Sequence, residues 1–291
     1  MRMRNTSICL LAAMFALPMW SGSAVALSDE PDIELAPHQA VYNLTLHYAA
    51  PGSNVIEVRG RMVLSLRGSP CAGYTITQRL VTQITDIDGK SAIRDMRSVT
   101  KEQNGRFQFG NTQYLNRQLR NEVMGLAAHQ SGNATEVTIN KPKKRKLKLE
   151  GQPLFPTQHS LAILQAAKAG HKVMAADVYD GSDSGNALLE ATTVIGKSLA
   201  PGTGQTLPPV ENGGSLDDTV SWPVSVGYFD KRKPVKSDEG VPKYEMSYRL
   251  YSNGVTRNLL INYGNFAVSG ELNHIDFFEP QKCTAPKKHR K

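Results

Sequence analysis

The side chains able to do covalent or metal chemistry in this chain are few and poorly grouped. Ala127-Ala128-His129 has the outline of the histidine motif of trypsin-like serine proteases, and Asp183-Ser184-Gly185 that of their nucleophile loop. In such chemistry a histidine takes the serine proton while a carboxylate holds the ring. Here the serine context, Ser182-Asp183-Ser184-Gly185-Asn186, lacks the flanking glycines, and 55 residues separate His129 from Ser184. That is too few for the strands that position these groups in a double barrel. A turn in which Asp180, Gly181, Ser182 and Asp183 make local side-chain to backbone hydrogen bonds accounts for the same composition. The acidic loop from Asp177 to Asp183 offers oxygen ligands but follows neither the EF-hand spacing nor a glycine-rich nonapeptide repeat. The seven histidines, at 38, 47, 129, 159, 171, 274 and 289, form no His-Glu-x-x-His and meet no paired cysteines, which argues against a zinc site. Neither glycine-rich phosphate loop is present, which disfavours a nucleotide-driven enzyme. No catalytic residue, metal ligand or cofactor is expected.

Charge is the other chemistry on offer. Lys141, Lys143, Lys144, Arg145, Lys146 and Lys148 form a basic run broken by Pro142 and Leu147, and the tail 284–291 is basic again. Neither run interleaves aromatics for stacking on bases, so nucleic acid is not the expected partner. The run reads either as a contact with an anionic envelope surface or as a solvated strand edge whose lysines discourage sheet pairing. The tail lies beyond the last strand pattern and is expected to be unstructured.

The start of the chain says where this charge would act. Arg2 and Arg4 precede an apolar run from Ile8 to Trp20 and small residues from Ser21 to Ala26, the order of a secretory signal, and Ala24-Val25-Ala26 fits small-x-small cleavage. The run is short of the roughly 18 to 20 residues that a spanning helix needs. Cleavage after Ala26 is expected to leave residues 27–291 as one periplasmic domain without a transmembrane anchor. Loss of Arg2 and Arg4 takes the formal charge from +8 to +6, and an exported basic protein meets anionic lipid, lipopolysaccharide or peptidoglycan. Cys9 departs with the signal, leaving Cys71 and Cys283 in a compartment where thiol pairs are usually oxidised. One disulfide tying the carboxyl-terminal strands to an early part of the sheet is expected; two unrelated free thiols are the alternative.

The elements that must hold these residues are mostly strands. Ala40, Tyr42, Leu44, Leu46 and Tyr48 share one face, with Asn43, Thr45 and His47 on the other. Ile56, Val58, Met62, Leu64 and Leu66 then oppose Glu57, Arg59, Arg61, Ser65 and Arg67, with Gly60 on the apolar side, where a missing side chain permits close approach of a neighbour. Asp88-Gly89, Asn104-Gly105 and Asn253-Gly254 punctuate such runs as hairpin turns. The pattern gives about twelve to fourteen strands, among them Tyr74–Ile84, Glu136–Asn140, Leu188–Ile195, Val224–Phe229, Tyr244–Tyr251 and Phe266–Phe278. One short helix is expected over Gln158–Ala169, capped by Pro156-Thr157 and closed by Gly170. Ala200–Leu216, rich in Gly, Pro, Ser and Thr, reads as a surface loop.

Several stretches together carry a resemblance. They are His38-Gln39-Ala40-Val41-Tyr42, Gly68-Ser69-Pro70-Cys71-Ala72-Gly73-Tyr74, Phe155-Pro156-Thr157-Gln158-His159 and Val178-Tyr179-Asp180-Gly181-Ser182-Asp183. They continue with Trp222-Pro223-Val224-Ser225-Val226-Gly227-Tyr228-Phe229-Asp230 and with Gly270-Glu271-Leu272 before Cys283. In this order they resemble the EipB family of cell envelope integrity proteins of Gram-negative bacteria, over nearly all of the mature chain. The resemblance implies a mainly β fold: a periplasmic β-spiral, a long curved antiparallel sheet wrapping partly round a helix and closed by a disulfide, here Cys71 to Cys283. It implies a role in envelope integrity and stress resistance without known catalysis. Members are distantly similar in shape to the lipoprotein carriers LolA and LolB and to the sensor RseB, which suggests a concave apolar face able to hold a lipid-like or protein ligand; this step is analogy from fold to function. The competing expectation is an envelope hydrolase whose site does not show in the sequence.

Overall fold

In the computed structural model, which describes residues 33–202, 207–231 and 240–283, the chain folds as fourteen strands and three helices. The expected signal (1–26) and basic tail (284–291) lie outside the described residues. Eight strands come first: β1 His38–Ala49, β2 Val55–Ser69, β3 Gly73–Asp86, β4 Ser91–Gln103, β5 Arg106–Leu115, β6 Gln118–Gln130, β7 Ala134–Lys141 and β8 Arg145–Glu150. The helix α1, Pro156–Lys168, separates them from β9 Val173–Val178 and β10 Leu189–Ile195, between which lies the single turn α2 at Ser182–Gly185. A second single turn, α3 at Gly214–Asp217, precedes β11 Ser221–Asp230, β12 Tyr244–Tyr251, β13 Thr256–Asn262 and β14 Phe266–Phe277.

All fourteen strands join one antiparallel sheet in the order β8-β7-β6-β5-β4-β3-β2-β1-β14-β13-β12-β11-β10-β9. Hairpins build each half, and the pairing of β1 with β14 sews the halves together. The turns match their residues: Asn104 and Gly105, at φ 50° and 68°, supply the two left-handed positions that a tight hairpin needs. At Gly60 a Cβ would lie 2.4 Å from the Val81 carbonyl oxygen, so the residue on the apolar face of β2 must be glycine for β3 to pair with it.

The sheet has to curl. Tyr74 of β3 and Ala191 of β10 stand seven places apart in strand order, about 34 Å on a flat sheet, yet both belong to the cluster built on Ile163, Leu164, Ala166 and Ala167 of α1. The two edges also come round. Arg145 of β8 donates to the Ser184 carbonyl beyond β9, and the segment leaving β8 makes a parallel bridge from Leu154 to Val178 of β9. Helix α1 is thus the link between the first and last strands of the order, laid along the inside of its own sheet. It buries Thr157, His159, Ile163, Leu164, Ala166 and Ala167, while Ser160, Gln165 and Lys168 stay exposed.

The described parts of the loop expected over Ala200–Leu216, residues 200–202 and 207–216, are more anchored than their composition suggests. Leu199 bridges Ser221, Glu211 bridges His274, and Leu216 is buried in the cluster lining β1, β13 and β14. One apolar residue in a polar loop found a place in the core, which composition averages away.

Candidate functional site

The inward face of the spiral is built by strict alternation. Along β4 and β5, Glu102, Thr100, Ser98 and Met96 point inward opposite Phe107, Phe109, Asn111 and Gln113. At the α1 end this face is filled with rings: Phe107 stacks between Phe109 and Phe155 at 5.2 and 5.1 Å, and Tyr179 meets both β5 phenylalanines edge-on at 6.3 and 5.9 Å. His129 lies over Phe155 at 4.5 Å, its Nε2 3.0 Å from the Pro153 carbonyl. That engagement answers the protease reading: His129 and Ser184 share no hydrogen bond, and the Ser184 carbonyl is taken by Arg145. The Asp180 loop forms the turn its composition favours, with Ser182 N–H donating to Asp180 Oδ1 at 2.8 Å. Among the described residues no three His, Cys, Asp or Glu side chains gather as a metal site.

Among the described residues one carboxylate is buried. Glu102, buried, accepts the backbone N–H groups of Thr157 at 2.7 Å and Gln158 at 3.1 Å, so β4 supplies the acid at the α1 amino terminus. Pro156 stands at the first helical position, Phe155 rather than Thr157 is the N-cap residue, and Gln158 Oε1 accepts from the Phe155 N–H at 3.0 Å. Burial pushes the Glu102 carboxyl up, outweighing these donors, which pull it down. Next on the helix, His159 is 4 % exposed, its Nε2 is without a hydrogen-bond partner, and burial lowers its pKa to about 4, so it is held neutral. Its ring meets Tyr228 of β11 at 6.1 Å, and Tyr228 stacks on Tyr244 at 4.7 Å. Burial raises the hydroxyls of Tyr228 and Tyr248, so these rings act as apolar wall with neutral polar tips.

Beyond α1 the inward face thins out. Across β3, β4 and β5, Leu80, Met96 and Gln113 form one row; Leu80 is half-buried, whereas Met96 is 40 % exposed on the inside of the curve. Ser98 and Asn111, in the row nearer the helix, are half-buried. This part of the inside therefore places Leu80 and Met96 beside the hydroxyl and amide groups of Ser98, Asn111 and Gln113. A separate cavity of about 530 Å³ lies between the 207–219 segment and β12–β13. Its arginines serve the fold: Arg257 donates to the Pro208 carbonyl and Arg249 Nε to Ser221 Oγ at 2.8 Å.

The cysteines and the basic run have definite places. Cys71, in the β2–β3 turn, is bonded to Cys283 with Cα atoms 5.7 Å apart. The segment after β14 crosses the start of β1, where Phe278 N–H donates to the Pro37 carbonyl and Arg67 lies over the Phe278 ring at 3.9 Å. The bond ties the segment after β14 to an early hairpin inside the sheet: β14 pairs on both sides, and the ends of the sheet are β8 and β9. The basic run is divided. Lys141 pairs with Glu122 and Lys146 with Glu136, each at 3.1 Å, and Arg145 turns inward to Ser184. Lys143 and Lys144 stay exposed in the β7–β8 turn, and Lys148 stays exposed on β8.

Sequence reasoning missed Glu102 and the burial of His159. A carboxylate on the inward parity of β4 was the available signal for the first; for the second, the helical stripe of Ile163, Ala166 and Ala167 contains position 159 one turn earlier.

The comparisons with known proteins agree with this architecture. A family model described as EipB-like matches residues 29–279. The cell envelope integrity protein EipB of Brucella abortus (strain 2308) is 33% identical over 282 residues, covering 96% of this chain and 98% of that protein. The crystal structure of a beta-barrel-like protein of a domain of unknown function from Brucella abortus superposes with a TM-score of 0.76 at 33% identity, over 85% of this chain and all of that one. With its fourteen-stranded curved sheet, its enclosed helix and this match along almost its whole length, the chain belongs to the EipB-like family.

Proposed function

We propose that this protein maintains the cell envelope as a non-enzymatic periplasmic binding protein that takes a lipid-like or protein ligand on the concave face of its sheet. The observation that carries the reading is the inward row of β3–β5 beyond α1, where Met96 faces the inside of the curve uncovered while the residues around the helix are closed off. An apolar side chain inside a concave wall gains free energy from any apolar surface laid against it, about 25 cal/mol per Å² removed from water. The envelope setting is supported by the name of the Brucella abortus relative, by the leader read in the sequence and by the disulfide, which belongs to oxidising compartments. No helix among the described residues is long and apolar enough to cross a membrane.

A native mass spectrum of protein taken from the periplasm tests the reading. Added mass that disappears on delipidation, and that Met96→Lys prevents from binding, is the expected result. Turnover of peptidoglycan, ester or peptide substrates abolished by one point change would replace it with a hydrolase.

A further inference from the structure

The charges on the strands are distributed unevenly round the spiral. On the outward face of β2, β3 and β4 stand Arg59, Arg61, Arg67, Arg79, Arg97 and Lys101, all exposed. The alternation that buries Val58, Met62 and Leu66 forces them outward. Only two carboxylates share that face, Glu57 and Asp95. Glu57 holds Arg59 at 2.6 Å, and Asp95 is divided between Arg79 at 2.9 Å and Arg97 at 2.8 Å, which leaves that trio net positive. Arg61 and Lys101 have no ion-pair partner among the described residues. The strands of the other half, β9 to β14, have the opposite balance: Asp177, Glu190, Asp230, Glu245, Glu271 and Asp276 stand against Arg249 and the buried Arg257.

The basic face is broad rather than cleft-like. Arg79 and Arg97 are direct ladder partners, and neighbouring strands lie about 4.8 Å apart, so the cations form an array spread over three strands. Apolar side chains stand among and beside them. Ile93 and Val99 of β4 are 45 % and 52 % exposed, and Met124 of β6 is 43 % exposed, next to Val99 across Gly110. For a soluble polyanion these side chains would have no use. At a lipid surface the guanidinium groups meet phosphates while the apolar side chains reach below the headgroups.

We propose that the outward face of β2–β4 docks this protein on an anionic lipid surface. The docking is independent of what the concave face holds. It also places the anionic contact away from the β7–β8 turn, where Lys141 and Lys146 are already paired with carboxylates.

Cosedimentation of the mature protein with vesicles of phosphatidylglycerol and phosphatidylcholine, against phosphatidylcholine alone, tests it. Binding to the anionic vesicles that falls as salt rises is expected, since exposed charges are screened within about 8 Å at physiological ionic strength. Arg61→Gln with Lys101→Gln should weaken the apparent affinity about thirtyfold, some five- to sixfold for each cation, at an unchanged unfolding midpoint. Lys143→Gln with Lys144→Gln should leave it unchanged. Absence of binding, or binding that follows Lys143 and Lys144 instead of Arg61 and Lys101, overturns the proposal. The mass spectrum of bound ligand is scored separately, so either reading can fail without the other.

Discussion

Replacing Glu102 should loosen α1, which the sheet encloses. Its carboxylate is the partner of two amino-terminal N–H groups of α1, at 2.7 and 3.1 Å, and Thr157, which carries the shorter bond, is buried. Glu102→Ala removes both bonds and leaves an enclosed N–H without an acceptor, a change that costs about 1 to 3 kcal/mol. The upper end of that range corresponds to a shift of about 1 M in the urea midpoint. Glu102→Gln should cost less, about 1 to 2 kcal/mol, because its amide oxygen serves one N–H while its NH2 opposes the other. The pH dependence separates charge from packing. Burial raises this carboxyl above its unfolded value, so its contribution is full below the unfolded pKa and is lost as pH rises through the folded one. The difference between parent and Glu102→Gln should therefore shrink across that interval. Urea unfolding over a pH series, with hydrogen exchange at the α1 amides, is the assay. If Glu102→Ala stays within 0.5 kcal/mol of the parent and α1 protection is unchanged, the cap is not holding the helix.

His159 should act with the opposite sign: its pKa is lowered to about 4, so its contribution is present above the unfolded value of about 6.5 and is lost between there and pH 4, at most about 3 kcal/mol. His159→Leu should flatten that part of the stability profile, and a profile unchanged by the substitution would contradict the burial argument. Cys71→Ser and Cys283→Ser should each lower the thermal midpoint, the chain-entropy upper figure for a 212-residue span being roughly 5 kcal/mol, and the double change should be no worse than either single one. Because β14 is an interior strand, the added proteolysis should be confined to the segment after Phe277; two thiols alkylated in native periplasmic protein would show that no bond forms.

Much of the fold was legible because a strand declares itself through adjacent residues. The alternation of Val58, Met62 and Leu66 with Arg59, Arg61 and Arg67 fixes which side of β2 is buried whatever lies beneath it. The Asn-Gly and Asp-Gly turns fix where the chain reverses, and Gly170 marks the end of α1, with φ of 79° and His171 N–H closing onto the Ala166 carbonyl. The two late cysteines were identifiable as a pair once Cys9 was read as part of an exported leader. What the sequence could not contain is how far the sheet curls. Curvature is the sum of small twists over fourteen strands, and it decides which inward residues are covered. It brings Glu102 to the Thr157 and Gln158 amides across more than fifty residues, sets His159 against Tyr228, and leaves Met96 uncovered. It also splits the basic run, since Arg145 finds Ser184 only when the two edges meet. Which face each residue takes is local information, set by the period of the backbone; what stands opposite that face exists only in the closed spiral, because contacts between distant strands are made by the path of the whole sheet.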